Sequence, residues 1–391
     1  MLTVGILGGG QLGAMLSDAV ARLGARPRVY DPDLQAPARR CVPDVTSEAF
    51  EDLGALRAFC EGCDVITYER EDLPVEALRA GTAGKRVLPS LAVLETAQDR
   101  AKEKAFFVRS GLPCVRHDTV DPPASLAEAC TRFGFPLIAK TQRGGYDGKG
   151  QFLIRSEEDA RRASEAFAGA AWVLEEPLTL TAEASCIVAR AATSEAVFPV
   201  VENLHRDHVL DRSLVPSRLS PAVSAAMRDL ALEAARRLEV EGLLAVEFFL
   251  TPRSSRGLTV DGVDVVINEL APRPHNSGHV FGRACTFSQF EALARILVGA
   301  PLGVPELHPG SHCMGNLLGD VWIAQGRKGP TLDLSAWAQH GDVVDVHVYG
   351  KTEPQPRRKM GHFVVRGSSG AAALERADAF RSALTASASP R

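Results

Sequence analysis

Lys140-Thr141-Gln142-Arg143-Gly144-Gly145-Tyr146-Asp147-Gly148-Lys149-Gly150-Gln151 packs four glycines and three cations into twelve residues. The apolar run Phe135-Pro136-Leu137-Ile138-Ala139 leads in, and Phe152-Leu153-Ile154 leads out. This spacing predicts two short strands joined by a mobile, cationic loop. Glycines let backbone N–H groups approach an anion, and loops of this composition commonly cover phosphates. The competing reading is an ordinary hairpin loop with solvated charges. The stretch lacks Walker spacing and does not open a helix, so it is not a P-loop.

Outward from this loop the chain divides. The first ninety residues alternate strand and helix: strands at 4–7, 28–31 and 64–69, helices at 11–23 and 53–60. Apolar Leu12, Met15, Leu16, Ala19, Val20 and Leu23 recur with helical spacing. This βαβαβ pattern predicts a parallel sheet. A charged helix follows at 99–110. Short strands from 115, helices at 126–133 and 157–167 and a strand at 172–175 predict a small α+β lobe. Strands at 184–191 and 196–202, a helix at 222–238, a strand at 243–250, a polar mobile loop at 251–262 and a strand at 264–270 come next. After a helix at 288–298, strands at 344–349 and 362–365 form a smaller β-rich unit. Residues 385–391 are small and polar and are expected to be disordered.

Gly8-Gly9-Gly10-Gln11-Leu12-Gly13 matches G-x-G-x-x-G, with Asp31 about twenty residues on. It supports a phosphate near a helix start; as evidence for a nicotinamide cofactor it is weak. Glu247 interrupts the apolar strand Leu243-Leu244-Ala245-Val246-Glu247-Phe248-Phe249-Leu250, and Asn268-Glu269 interrupts Val265-Val266-Ile267-Asn268-Glu269-Leu270. A carboxylate buried there is costly unless paired or bound to a cation. Two adjacent strands would bring both carboxylates and the Asn amide together, a hard oxygen set that suits Mg²⁺; carboxylates each paired with Arg or Lys are the alternative. Ala271-Pro272-Arg273-Pro274-His275-Asn276-Ser277-Gly278-His279 follows, a proline-stiffened loop rich in polar side chains. Lys351 and Arg357-Arg358-Lys359 place four cations within nine residues, either a solvated turn or a phosphate clamp.

A chain of 391 residues exceeds one typical core, so two or three domains are expected. A net charge of -4 leaves no electrostatic footprint for nucleic acid. No apolar run approaches the length of a membrane span. The opening Met1-Leu2-Thr3-Val4-Gly5-Ile6-Leu7 reads as a strand and not as a secretory signal. The eight cysteines are scattered; Cys60 and Cys63 form a lone C-x-x-C, and free thiols are expected.

Together these motifs resemble an ATP-grasp ligase and, more narrowly, the N5-carboxyaminoimidazole ribonucleotide synthetase family of purine biosynthesis. The resemblance covers residues 1–370 in the expected order. It rests on residues 8–15, on Gln98-Asp99-Arg100 with Lys104 one turn on, on 144–151 and 268–279, on Tyr349-Gly350-Lys351 and on Arg358-Lys359-Met360-Gly361-His362. Segments 144–151 and 268–279 are the specific ones. The implied fold is α/β and α+β multidomain: an N-terminal Rossmann-like βαβ domain (1–95), a central ATP-grasp fold (96–300) with a small mobile lobe at about 115–180, a small C-terminal β-rich domain (301–380) and a disordered tail (381–391).

The resemblance also implies roles by position. Arg100, Lys140, Gly145, Tyr146, Asp147, Gly148, Lys149, Gly150 and Gln151 would hold ATP phosphates, with Arg273 at the γ-phosphate. Glu175, Glu176, Pro177 and Leu178 would form the adenine hinge, Glu183 would reach the ribose and His205 would lie near the nucleotide. Glu247 and Glu269 would bind Mg²⁺, with Asn268 beside them. Tyr146, Asp147, His275 and Asn276 would face the aminoimidazole and bicarbonate. Lys351 and Arg358 would take the ribotide phosphate, aided by Gly10, Gln11 and Leu12. The implied reaction carboxylates 5-aminoimidazole ribonucleotide through carboxyphosphate, in a cytoplasmic homodimer with small-molecule partners only. Three departures stand out: Gln142 where the family usually has Arg, Gln355-Pro356-Arg357-Arg358-Lys359 where it usually has Arg-Pro-Gly-Arg-Lys, and a longer loop at 251–262. A sibling ligase acting with formate or an amino acid, an NAD-dependent dehydrogenase and a non-catalytic nucleotide-binding regulator are the alternatives.

Overall fold

The computed structural model describes residues 1–122, 125–144, 150–252, 254 and 256–386. The N-terminal part forms a parallel sheet of β1 (Thr3–Leu7), β2 (Arg26–Tyr30), β3 (Val45–Thr46), β4 (Val65–Tyr68) and β5 (Arg86–Val87) in the order β3-β2-β1-β4-β5. The apolar run of β1 alternates between two cores. Val4 and Ile6 join Leu16 and Val20 of the helix Gln11–Arg22, while Leu7 joins Ile66 and Tyr68 on the other face. A parallel sheet needs both faces covered, which is why the strand is apolar throughout. Strand order reverses between β1 and β4, and open parallel sheets bind ligands at such a point, beyond the strand C-termini. Gly8–Gly10 and Glu69 sit there. A Cβ on Gly13 would lie 2.4 Å from the Gly8 carbonyl oxygen, so the turn from β1 into the helix requires glycine.

A second, antiparallel sheet holds β6 (His117–Val120), β7 (Leu137–Thr141), β8 (Gln151–Ile154) and β9 (Trp172–Glu175) in the order β6-β9-β7-β8. The helices Leu126–Phe133 and Glu157–Ala166 bury Ala129, Cys130, Ala160 and Ala163 in its core. Ser125 and Ser156 cap their N-termini, each with acidic residues in the following turn. The expected pair of strands around the cationic loop is β7 and β8, with Lys140 opposite Gln151.

The third sheet is ten-stranded and antiparallel. It comprises β10 (Ala182–Arg190), β11 (Glu195–Val197), β12 (Val201–Arg206), β13 (Val209–Val215), β14 (Gly242–Thr251), β15 (Leu258–Val260), β16 (Val263–Ala271), β17 (Ser311–Leu318), β18 (Val343–Val348) and β19 (Lys359–Gly367). Their order is β15-β16-β14-β10-β12-β13-β17-β19-β18, with β11 beside β10. On one face Leu244, Val246 and Phe248 pack with Met227 and Ala231 of the helix Pro221–Arg237. On the other, Leu243, Ala245 and Ile187 pack with Leu293 and Leu297 of the helix Gln289–Val298.

Several expectations are corrected. The strand at 196–202 is two strands, since Pro199 lacks the amide a ladder needs. The loop at 251–262 contains β15, which pairs with β16, and Asp264 accepts bonds there from Ser254 N (2.7 Å) and Thr259 Oγ1 (2.5 Å). Residues 381–386 of the expected tail are helical: the helix Gly370–Ala386 buries Phe380 and Leu384. Residues 387–391 lie outside the described residues. The expected C-terminal β-rich unit is present, and its strands continue the central sheet through β17, which pairs β13 on one side and β19 on the other. All eight cysteines are free. Burial, followed by the Cys63 charge, pushes the Cys60 thiol up to about 12, which leaves it protonated and unreactive.

Candidate active site

Glu247 of β14 and Glu269 of β16 are paired directly across the ladder. The register shifts immediately afterwards, because Phe248 pairs with Ile267 and Asn268 is the extra residue of a bulge. This bulge places Asn268 and Glu269 side by side at the ladder position facing Glu247. Side chains opposite each other in an antiparallel pair have Cβ atoms about 5 Å apart. Glu269 opens onto the cleft with an exposed side chain; desolvation by the surrounding protein and the neighbouring Glu247 charge push its pKa up, against Arg100 and Lys140. Burial would also raise that of Glu247, but His275, whose Nε2 lies 2.7 Å from Oε1, together with His205 and Lys359, holds it at about 2. Two carboxylates facing each other repel, and a divalent cation between them relieves that. The facing carboxylates and the Asn268 amide form a hard oxygen set that fits Mg²⁺, which takes one or two carboxylates and leaves its other positions to water and phosphate oxygens.

Facing this pair is a buried cationic clamp. Asp99 caps the helix Arg100–Arg109, and Arg100, Glu103 and Lys104 share one face of it. Glu175 of β9 lies between Lys104 Nζ (3.1 Å) and Lys140 Nζ (2.6 Å). Burial would raise the Glu175 pKa, yet the two ammonium groups hold it at about 2. Lys104 Nζ also donates to the Asn268 carbonyl at 2.9 Å, tying the helix to the bulge. Glu103, pushed up to about 8 by burial, accepts the Leu270 amide at 2.6 Å. Arg100 donates through Nη1 to the Thr141 carbonyl (2.9 Å), and its charge, like that of Lys140, is felt at Glu269. Gln142 donates to Asp121 at 2.8 Å. Glu176, exposed Pro177 and Leu178 follow β9 in the linker to β10, where the Glu176 amide donates to the Arg116 carbonyl. Glu183 Oε1 and His205 Nδ1 lie 3.1 Å apart on neighbouring strands, and the Glu183 carboxylate raises the His205 pKa against the effect of burial.

The loop after β16 is fixed at both ends. Gln289, fully buried, accepts the His275 amide (2.8 Å) and donates to its carbonyl (2.7 Å). A buried polar chain runs behind the ring. Ser213 Oγ donates to Asn203 Oδ1, Asn203 Nδ2 donates to Ser185 Oγ, Ser185 meets Ser277 Oγ at 2.7 Å, and Ser277 meets His275 Nδ1 at 2.9 Å. With a neutral imidazole, Ser277 donates to Nδ1 and Nε2–H faces Glu247. Arg273 donates to Glu71 (3.1 Å) in the first domain and to the Pro274 carbonyl (2.9 Å). Its buried Nε and the buried Nδ2 of Asn276 have no partner among the described residues, so two donors can face an anion at the junction of the domains.

A second cluster of polar and charged groups lies at the end of the first sheet. Glu69 accepts the Gly10 amide (2.8 Å) and Asp31 the Gly9 amide (2.5 Å). Asp31 is thus engaged by the glycine turn, which removes the ribose ligand that a dinucleotide reading needs. Leu12 points into the core, leaving its backbone and Gln11 at the helix start. Lys351 donates to the Lys359 carbonyl (2.8 Å) and lies over the Tyr349 ring. Burial, then Arg358 and Lys359, push its pKa down to about 8, against the pull of Glu69. Arg358 donates to the Glu353 carbonyl. Arg357 is turned away, with its amide on Asp320 and its guanidinium on the Asp207 carbonyl.

Gly145, Tyr146, Asp147, Gly148 and Lys149 lie outside the described residues; Gly150 and Gln151 re-enter at the start of β8. Sequence reasoning assigned no role to Glu69, Glu71 or Lys104 and did not anticipate the polar chain through Asn203, Ser185 and Ser277. Lys104 and Glu103 carry a usable signal, since they follow Arg100 at helical spacing on a face that has to be buried.

Residues 1–98 match the ribonucleotide synthetase preATP-grasp domain, 105–290 the ATP-grasp domain and 313–376 the phosphoribosylaminoimidazole carboxylase C-terminal domain. The chain is 35% identical over 361 residues to the N5-carboxyaminoimidazole ribonucleotide synthase of Bacillus subtilis, covering 92% of this chain and 90% of that one. It is 34% identical to the bifunctional purine synthesis protein purC/E of Dictyostelium discoideum, of whose length it spans 36%, with 92% of this chain aligned. Among solved structures, N5-carboxyaminoimidazole synthetase from Staphylococcus aureus complexed with ADP superposes with a TM-score of 0.87 at 30% identity, covering 97% of both chains. The Aspergillus clavatus synthase in complex with ADP and 5-aminoimidazole ribonucleotide gives 0.84 at 26% identity, covering 98% of both. A central pair of carboxylates, a lysine clamp and a charged cluster at the end of a preATP-grasp sheet thus occur in a chain aligned over nine-tenths of its length with such enzymes, and this chain belongs to the N5-carboxyaminoimidazole ribonucleotide synthase family of ATP-grasp enzymes.

Proposed function

We propose that the protein carboxylates the amine of 5-aminoimidazole ribonucleotide with bicarbonate and ATP, giving N5-carboxyaminoimidazole ribonucleotide, ADP and phosphate in purine biosynthesis. The carrying observation is the pairing of Glu247 with Glu269 opposite the Lys104–Glu175–Lys140 clamp, with Lys351 near Glu69 at the end of the first sheet. Glu247, Glu269 and Asn268 would hold Mg²⁺, which when bound neutralises phosphate charge and polarises the transferred phosphoryl group.

Bicarbonate is a weak electrophile towards an amine, and phosphorylation to carboxyphosphate gives it a leaving group. Phosphoryl transfer demands positioning and charge stabilisation more than covalent help from the protein. Lys140, held by Glu175, supplies a fixed positive charge at the phosphates, and Arg100 adds to the same field. Arg273 Nε and Asn276 Nδ2 are donors suited to the bicarbonate oxygens, with His275 held beside them by Ser277 and Gln289. The ribotide amine then attacks the carbonyl carbon, and phosphate leaves as the amine loses its proton. Residues 145–149 would cover the nucleotide and exclude water, with Tyr146 and Asp147 toward the acceptor. Glu176, Pro177 and Leu178 would line the adenine, and Glu183 and His205 would lie near the ribose. Lys351, Arg358 and the helix start at Gly10, Gln11 and Leu12 would take the ribotide phosphate. The protein would work as a homodimer in the cytoplasm.

The test is ADP release measured with each substrate omitted in turn. Turnover that requires both bicarbonate and the aminoimidazole ribonucleotide is expected; ATP hydrolysis indifferent to both overturns the assignment.

A further inference from the structure

Arg40 closes the 3₁₀ turn Pro37–Arg40, which packs on the glycine turn through the Ala38 amide and the Gly9 carbonyl (2.9 Å). From there its side chain crosses to the C-terminal segment. A Cβ built on Gly350 would lie 2.1 Å from Arg40 Nη1 and 2.8 Å from its Cδ, so the guanidinium rests directly on the Gly350 backbone. Gly350 has φ +77°, a second reason for glycine there. Next to it, Thr352 donates to Gln35 (2.6 Å), fastening the two loops together. Arg40 therefore stands where three segments meet: the turn carrying Gly10, its own turn, and the loop carrying Lys351.

Arg40 is exposed and makes no hydrogen bond or ion pair with any described residue. Its neighbour behaves differently, since Arg39 donates to Ser47. Arg357, on the same C-terminal segment, is committed to Asp320 and the Asp207 carbonyl. A guanidinium lying on the glycine backbone next to Lys351, with its donors uncommitted among the described residues, presents a fork to a phosphate dianion between this loop and the glycine turn.

We infer that Arg40 is a further ligand for the phosphate of the acceptor, and that it sets the preference for a phosphorylated over a dephosphorylated ribosyl acceptor. This rests on the proposed function. The chemistry is recognition only: Arg40 pairs with phosphate oxygens and takes no part in bond making.

The experiment compares wild type, Arg40→Gln and Arg40→Lys with the ribonucleotide, its dephosphorylated riboside and ATP as varied substrates. Ribose 5-phosphate binding is measured in parallel by calorimetry. Arg40→Gln is expected to raise KM for the ribonucleotide roughly tenfold, as loss of a charge-assisted bond does, with kcat, KM for ATP and kcat/KM for the riboside unchanged. Ribose 5-phosphate should bind correspondingly more weakly, and Arg40→Lys should recover part of the loss. An unchanged ribonucleotide KM, or an equal loss with the riboside, overturns the role of Arg40 and leaves the proposed reaction standing. A wild type indifferent to the ribonucleotide and blind to ribose 5-phosphate overturns both.

Discussion

Glu269 faces a like charge directly across the ladder. Desolvation and Glu247 push its pKa up against the pull of Arg100 and Lys140, while His275 holds Glu247 at about 2. A neutral amide of the same shape relieves that repulsion and removes the ligand. Glu269→Gln is therefore expected to lower kcat by at least a hundredfold while thermal stability stays level or rises slightly, as calorimetry and ADP release will show. Activity near wild type would take Glu269 out of the metal site. Both carboxylates were legible in the sequence, because each breaks an apolar strand. Glu175 was legible as the end of a strand and, by resemblance, as part of an adenine hinge, but not as the carboxylate between two lysines. Its burial between Lys104 and Lys140 depends on a helix seventy residues away, and no local pattern reports such a contact.

At the scale of elements, strands β13, β12 and β10 each contribute one side chain to the chain that ends on the His275 ring: Ser213, Asn203 and Ser185, followed by Ser277. Ser277→Ala breaks this chain next to the ring and leaves the Ser185 hydroxyl short of a partner. The expected result is a several-fold loss of kcat/KM, in line with about 1–2 kcal/mol for a buried hydrogen bond, and a weakened Mn²⁺ affinity measured by titration. Unchanged metal affinity would mean that Ser277 only fills space. The helical and strand periods predicted the elements around this network well where they were apolar. They failed at β13 and β17, whose runs VLDRSLV and SHCMGNLL carry charged, polar or glycine residues inside a sheet. Asp211 and Arg212 are buried because Arg381 and Asp378 of the last helix pair with them, a tertiary remedy that strand propensity does not encode.

At the scale of the whole molecule, the loop after β16 meets the C-terminal strands β18 and β19 through histidines. His279 stacks on His362 (ring centroids 4.5 Å apart, planes at 19°), and His347 stacks on the far side of His362 (5.5 Å, 3°). Tyr349 Oη lies 2.9 Å from His362 Nδ1. Burial, then the neighbouring His347, pushes His362 down to about 3, and His279 falls well below its ordinary value. Both are neutral when folded, whereas the unfolded chain takes up their protons below about pH 6.5. Their contribution is therefore lost as pH falls from 6.5 toward 3. Glu69 and Glu103, raised to about 7 and 8, titrate in the opposite sense, because the folded state then holds the proton. The diagnostic is thus a difference. The destabilisation caused by His362→Asn, followed by urea unfolding, should shrink on going from pH 7 to pH 4 with a slope approaching one proton. A gap that does not change with pH would show that His362 is not neutral in the fold.

The position of β17 between β13 and β19 has a bearing on how the protein is made. During synthesis β13 leaves the ribosome about a hundred residues ahead of β17. At roughly 5–20 residues per second, that strand waits for roughly 5–20 s with one flank unpaired. Through that interval the nascent chain carries an adhesive border, with Leu214 uncovered until the last helix arrives to shield it. Ribosome stalling within residues 216–310 should therefore be more hazardous to this protein than stalling within its first hundred residues, where each parallel strand finds its neighbour soon after emerging.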